Sequence, residues 1–131
     1  MPSADAKNKQ LILVVDDEQV ILELLQRHLS GLGFEVMTCL SGEDALARGM
    51  PALPSLVFLD IKMPGMGGLE CLREIRLRHP SVPVIMLTAI VDREAVLKAA
   101  DYGVNDYLFK PIDLDSLTKM VRRQLSLRRN A

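Results

Sequence analysis

Apolar runs alternate with amphipathic segments five times along these 131 residues, and no other feature of the chain narrows its fold as far. Strands are predicted over 11–15, 34–38, 55–59, 82–87 and 105–109, and helices over 18–31, 42–50, 66–79, 92–101 and 113–128. Period separates the two kinds. In the first helical segment Ile21, Leu24, Leu25, His28 and Leu29 recur at three- and four-residue spacing, which stacks them on one helical face, and Leu114, Leu117, Val121 and Leu125 do the same in the last. The runs Leu11-Ile12-Leu13-Val14-Val15 and Leu56-Val57-Phe58-Leu59 are continuously apolar, as suits central strands of a parallel sheet covered on both faces. Phe34-Glu35-Val36-Met37-Thr38 alternates with polar residues and reads as an edge strand, which fits an order with the second strand outside the first. The pattern predicts an α/β domain, a (βα)5 doubly wound five-stranded parallel sheet with helices on both faces. Ser41, Asp92 and Asp113 stand where helix N-caps are expected, and Gly31, Gly33 and Gly103 where left-handed helix exits are.

Composition narrows the partners. Apolar residues make up 49% and charged residues 25%, the balance of a soluble globular domain, and the length fits one domain with a sizeable core. Sixteen basic and seventeen acidic residues leave a net charge of −1, so no general attraction to nucleic acid or to a membrane is expected. No apolar stretch approaches the roughly 20 residues that would span a bilayer. Residues 1–10 are polar, read as a disordered lead-in without a secretion segment, and imply a cytoplasmic setting. Cys39 and Cys71 are expected to be buried, reduced thiols rather than a disulfide framework.

Chemistry enters at the strand ends. Val14-Val15-Asp16-Asp17, Val57-Phe58-Leu59-Asp60, Ile85-Met86-Leu87-Thr88 and Tyr107-Leu108-Phe109-Lys110-Pro111 each finish an apolar run with groups that phosphate chemistry uses. In neighbouring parallel strands, their carboxyl ends would share the crevice where open α/β sheets place ligands. Two like charges about 4 Å apart repel by roughly 4 kcal/mol at an effective dielectric near 20. Three acids and one lysine leave a local charge of −2, which a divalent cation would neutralise. All-oxygen ligation selects Mg²⁺, Mn²⁺ or Ca²⁺ over zinc, and Mg²⁺ is the usual companion of phosphoryl transfer. For the Asp16-Asp17 pair alone a solvated acidic rim is the simpler reading. Asp60, Thr88 and Lys110 on separate strands reverse that preference.

These elements, together with Asp60-Ile61-Lys62-Met63-Pro64-Gly65-Met66, Gly68 and the pair Thr88-Ala89, resemble a two-component response-regulator receiver domain from about Gln10 to Leu127. The resemblance implies a sheet of order 2-1-3-4-5 within a domain over 11–128. It implies that Asp60 accepts a phosphoryl group from a histidine kinase or phosphotransfer protein, its carboxylate being the nucleophile. It further implies Mg²⁺, for which Mn²⁺ can substitute, held by Asp17, Asp60 and the backbone carbonyl of Lys62, with Asp16 acting mostly through a metal-bound water. Lys110 would pair with a phosphoryl oxygen. Thr88 would donate its hydroxyl to the phosphoryl group, Tyr107 would change rotamer in response, and Lys110-Pro111 would be a cis peptide bond. Taken singly, Thr88 reads equally as a strand-end cap, Tyr107 as partial core packing, and Lys110 as a surface lysine that its apolar context disfavours.

On this reading the chain is a signalling switch, not an enzyme acting on outside substrates, and catalyses only its own phosphoryl transfer and dephosphorylation. The alternatives are an aspartyl phosphohydrolase, a flavodoxin-like flavin module and a receiver-like scaffold regulated without phosphorylation. Against the first, Lys62 stands where haloacid-dehalogenase-like enzymes place a second acid, and against the second, Asp16-Asp17-Glu18 would repel a phosphate in the absence of metal. The output surface is expected on the fourth helix, fifth strand and fifth helix (the α4-β5-α5 face), with Ile90, Val91, Leu97 and Tyr102 as candidate contacts and a possible homodimer. The partner is a downstream protein or an effector domain missing from this chain, since none is read beyond Leu127. Arg122, Arg123, Arg128 and Arg129 suit a helix C-terminus better than nucleic acid. His28 reads as a packed or edge histidine, and His79 as helix-end capping.

Overall fold

The computed structural model describes residues 9–89 and 93–130, the last four of these by backbone alone. Five strands, β1 (Leu11–Val15), β2 (Glu35–Cys39), β3 (Leu56–Asp60), β4 (Val84–Thr88) and β5 (Asp106–Phe109), form one parallel sheet in the order β2-β1-β3-β4-β5. Helices α1 (Gln19–Gly31), α3 (Gly68–Arg78), α4 (Arg93–Asp101) and α5 (Leu114–Asn130) alternate with them. Segment α2 (residues 42–52) is not the single regular helix expected over 42–50. It opens as an α-turn at Gly42–Asp44, widens to π geometry at Ala45–Gly49 and tightens to a 3₁₀ turn at Met50–Ala52. Gly49 lies so close to β1 that a Cβ there would sit 2.8 Å from a Leu13 methyl carbon.

Alternating side chains on the central strands feed two apolar layers. Leu13, Val15, Val57, Leu59, Val84 and Met86 face Ala45, Cys71, Leu72, Ile75, Ala95 and Ala99 of α2, α3 and α4. Ile12, Val14, Leu56, Phe58, Ile85 and Leu87 face Leu22, Leu25, Leu29, Leu117, Val121 and Leu125 of α1 and α5. Full burial of each Leu, Ile or Phe contributes about 1.5–3 kcal/mol, so these layers hold the strand register on which the strand-end groups depend. The α1 stripe is rotated from expectation: Leu22, Leu25 and Leu29 are buried, while Leu24 is 37% exposed. Across this layer Thr118 Oγ1 donates to Leu114 O at 3.0 Å, so it accepts from His28 Nε2 at 2.7 Å, joining α5 to α1.

Ser41 accepts from Asp44 N–H at 3.1 Å and Asp113 from Ser116 N–H at 3.2 Å, both as N-caps. Gly33 (φ +100°) and Gly103 (φ +87°) adopt left-handed exits, whereas Gly31 is the last residue of α1 and does not. Asp92 and residues 1–8 of the expected lead-in lie outside the described residues. The β2 edge is closed in part by Arg48, which Asp44 holds at 2.9 Å and which donates to Thr38 O at 2.7 Å. No helix among the described residues is long and apolar enough to cross a membrane.

Candidate functional site

Sheet register places the site. The β1 ladder continues one step past the strand, with Asp16 N–H donating to Cys39 O at 3.1 Å. Ile61 N–H donates to Leu87 O at 3.1 Å, just after Asp60 ends β3, and Lys110 N–H to Thr88 O at 2.8 Å. Asp16, Asp60, Thr88 and Lys110 therefore stand at one edge of the sheet. A cavity of about 150 Å³ opens there, lined by Glu18, Asp60, Lys62, Thr88, Ala89 and Lys110. A hollow of about 440 Å³ along β2 is larger, but of its charged groups Arg48 is already engaged by Asp44 and Thr38 O, and no acidic cluster converges on it.

The loop after β3 is braced by close packing. Gly68 N–H donates to Ile61 O at 2.8 Å, and a Cβ on Gly68 would collide with the Asp60 carbonyl oxygen. Glycine at the start of α3 thus lets the helix press against the backbone that carries Asp60. Gly65 turns with φ +72°, and Met66 N–H donates to Glu43 Oε2 at 3.2 Å.

Lys110 is the hub of the charges. Its Nζ lies 3.0 Å from Asp16 Oδ2, 3.0 Å from Glu18 Oε1 and 3.6 Å from Asp60 Oδ1. Asp16 is fully buried and Asp60 is 5% exposed. Asp16 Oδ2 has Lys110 as a charge partner but no hydrogen bond of good direction, so the contact is an ion pair and the oxygen is under-satisfied. Burial first, then the Asp16 charge, pushes the Asp60 carboxyl up to about 7, against the pull of Lys110. Burial likewise raises Asp16, against the hydrogen bond from Glu18 N–H and the contact with Lys110. Burial alone would lower Lys110, but the side-chain contacts with Asp16 and Glu18 carry it well above its ordinary value.

A divalent cation fits this donor set, since two buried carboxylates share one lysine and one oxygen lacks a directed donor. Among the described residues, the three carboxylates whose oxygens approach within 4.8 Å of one another are Asp16, Asp17 and Glu18, of which Asp17 and Glu18 are exposed. Asp60 is outside that triple, and its Oδ1 accepts from Lys62 N–H at 3.4 Å. Glu18 is the member that the sequence reading did not place in the site. Its only signal was its position as the third acid of the Asp16-Asp17-Glu18 run.

The expected switch residues are present but turned elsewhere. Thr88, 4% exposed, donates its hydroxyl to Ala89 O at 2.8 Å. Tyr107 donates to Val96 O at 2.6 Å, and its ring lies parallel to Phe109 with centroids 6.4 Å apart. The Lys110-Pro111 bond is cis. On the expected output face Leu97 is 59% and Tyr102 36% exposed, and Arg122 and Arg123 are exposed, whereas Ile90, Val91 and the side chains of Arg128 and Arg129 lie outside the described residues. Cys39 and Cys71 are buried free thiols, each pushed up to about 12 chiefly by burial, and so carry no nucleophile. His79 ends α3 through its backbone, its N–H donating to Ile75 O and its carbonyl accepting from Arg76.

Comparison with known proteins agrees with the geometry. The sequence profile of the response regulator receiver domain matches residues 12–122, so this chain belongs to that family. It is 40% identical over 116 residues to the DNA-binding transcriptional regulator NtrC of Salmonella typhimurium, covering 88% of this chain and 25% of that protein. The chain thus spans about a quarter of the length of that curated relative. The receiver domain of NtrX from Brucella abortus superposes with a TM-score of 0.82 at 38% identity, covering 88% of this chain and 98% of that one. A CheY-like receiver domain from Methanospirillum hungatei gives 0.90 at 27% identity, covering 94% and 98%.

Proposed function

We propose that this receiver domain accepts one phosphoryl group on Asp60, from a phosphohistidine of a sensor histidine kinase or phosphotransfer protein, and that the added charge alters its α4-β5-α5 surface. The observation that carries the reading is the Asp60 carboxylate, nearly buried at the end of β3, facing a cavity with Lys110 Nζ 3.6 Å away. In the transfer, an Asp60 oxygen attacks phosphorus, the new P–O bond replaces the donor P–N bond, and the imidazole leaves with its electron pair and takes a proton from solvent. The attack requires the anionic carboxylate, and Lys110 neutralises charge that builds on the phosphoryl oxygens. Asp16, Asp17, Asp60 and the Lys62 carbonyl would hold Mg²⁺ or Mn²⁺, which neutralises carboxylate and phosphoryl charge when bound. Thr88 lines the cavity and would offer its hydroxyl to the phosphoryl group in place of Ala89 O. Release of Tyr107 from Val96 O would loosen β5 from α4.

A phosphoryl group adds about 1.5–2 negative charges and several acceptor oxygens. That is enough to bias a pre-existing equilibrium at this face toward an active form. By analogy with relatives described as DNA-binding transcriptional regulators, the signal passes to an effector, in the same chain or a separate one. Action on outside substrates is disfavoured because Lys62 replaces the second acid that a phosphohydrolase needs. The test is intact-mass analysis after incubation with acetyl phosphate or a phosphorylated kinase. One phosphoryl adduct is expected with Mg²⁺, and none with EDTA or in Asp60→Asn. An adduct that persists in Asp60→Asn would overturn the assignment.

A further inference from the structure

We infer that Glu18 is a charge gate on Lys110 that selects against small anionic phosphoryl donors, an inference that rests on Asp60 being the phosphoryl acceptor. Lys110 has one positive charge and three carboxylates around it, and its two shortest contacts, both 3.0 Å, are to Asp16 and Glu18 rather than to Asp60 at 3.6 Å. Of those two, Asp16 is fixed: it is fully buried and accepts from Glu18 N–H at 2.9 Å. That same bond orients the Glu18 backbone. The Glu18 side chain is 60% exposed, is anchored at its tip on Lys110 and, among the described residues, by no other side-chain ion pair, and lines the cavity in which a phosphoryl group on Asp60 must sit.

Two anions therefore compete for one ammonium. A phosphoryl group that pairs with Lys110 has to displace the Glu18 carboxylate, and until it does, Glu18 puts a negative charge in the mouth of the cavity. A free dianion meets that charge unaided. A protein donor can bring a cationic side chain to take Glu18 away as it docks. Glu18 is accordingly a specificity-determining residue for the donor class, and it acts through Lys110, not on the reacting atoms.

The test uses beryllium trifluoride with Mg²⁺ as a non-reacting phosphoryl mimic, titrated by amide NMR into the wild type, Glu18→Gln and Glu18→Ala. Both variants should bind roughly two- to fivefold more tightly than the wild type at low ionic strength, and the gap should close in high salt because Glu18 is exposed. Labelling of Glu18→Gln by acetyl phosphate should accelerate by a similar factor. A role confined to helix structure would leave no such salt dependence. Equal affinity and equal salt response in all three proteins would overturn the gate alone. Absence of binding to any of them would overturn both the gate and Asp60 as acceptor.

Discussion

Removing the Asp60 charge should stabilise the metal-free protein, and chiefly at neutral and alkaline pH. Burial and the neighbouring Asp16 charge raise the Asp60 carboxyl from 3.8 to about 7. A carboxyl held above its unfolded value binds its proton more tightly in the folded chain. The stability linked to it is thus fully present below 3.8 and is lost as the pH rises through about 7. At about 1.4 kcal/mol per pH unit that interval amounts to roughly 4 kcal/mol above neutrality. Asn keeps the shape and an acceptor for Lys62 N–H, and the loss of the Lys110 attraction at 3.6 Å is already contained in that figure, because Lys110 pulls the carboxyl down. A net gain of about 2–4 kcal/mol should remain, or ~8–16 °C in Tm for a domain of this size.

At pH 4.5 the gain should shrink to about 1 kcal/mol or less, because Asp60 is then protonated in the folded protein. Asp16 is raised too, but it is present in both proteins and largely cancels. Calorimetry or urea unfolding of wild type and Asp60→Asn in EDTA, at pH 8 and pH 4.5, decides the matter. A gain of equal size at both pH values, or a less stable variant at pH 8, would refute the linkage. Added Mg²⁺ should stabilise the wild type more than the variant, since a carboxylate ligand is missing from the latter.

Gly68→Ala should cost at least about 3 kcal/mol or prevent folding, because its Cβ would meet backbone at Asp60 that cannot move aside; a urea midpoint close to wild type would contradict the packing. Arg76 donates to Gly103 O, His79 O, Val82 O and Asn105 Oδ1, tying α3 to the starts of β4 and β5. Arg76→Ala should therefore cost about 2–4 kcal/mol in chemical denaturation, with little rescue by Lys, which cannot reproduce the planar fork. Thr88→Ala and Tyr107→Ala should still take a phosphoryl group by intact mass, since neither supplies nucleophile or metal ligand, yet lose coupling to partner binding. In the wild type, phosphorylation should change amide exchange in residues 88–110 more than in 18–50, and the reverse pattern would place the output on the opposite side.

The sheet was legible because its strands are written as uninterrupted apolar runs, and each observed strand lies within two residues of its predicted bounds. The site followed from the same runs, since the residue after the last apolar position is the one the ladder delivers to the crevice. Helix detail was less accessible. In α1, Val20, Ile21, Leu22, Leu24, Leu25 and Leu29 cover a wide arc, and only the sheet it packs on decides that Leu22 rather than Leu24 faces inward. In α2 the π widening coincides with Gly49 pressed on Leu13, a contact between distant parts of the chain that no local pattern records. Glu18 was hidden for a similar reason. Its role depends on the reach of Lys110, 92 residues away.

The geometry of the site also explains why such a charge cluster belongs on so apolar a sheet. Asp16 and Asp60 are both raised chiefly by burial, so the metal-free fold carries them at a cost, and the two apolar layers offset it. A cation that relieves this strain binds with part of the free energy of the fold itself. A phosphoryl group on Asp60 would then act on neighbours that are already committed elsewhere: Lys110 to Glu18, Thr88 to Ala89 O, and Tyr107 to Val96 O. Each of those bonds is modest, worth on the order of 1 kcal/mol. Exchanging all three is therefore within the reach of one strongly bound group, and the last of them joins β5 to α4, where the proposed output surface would begin.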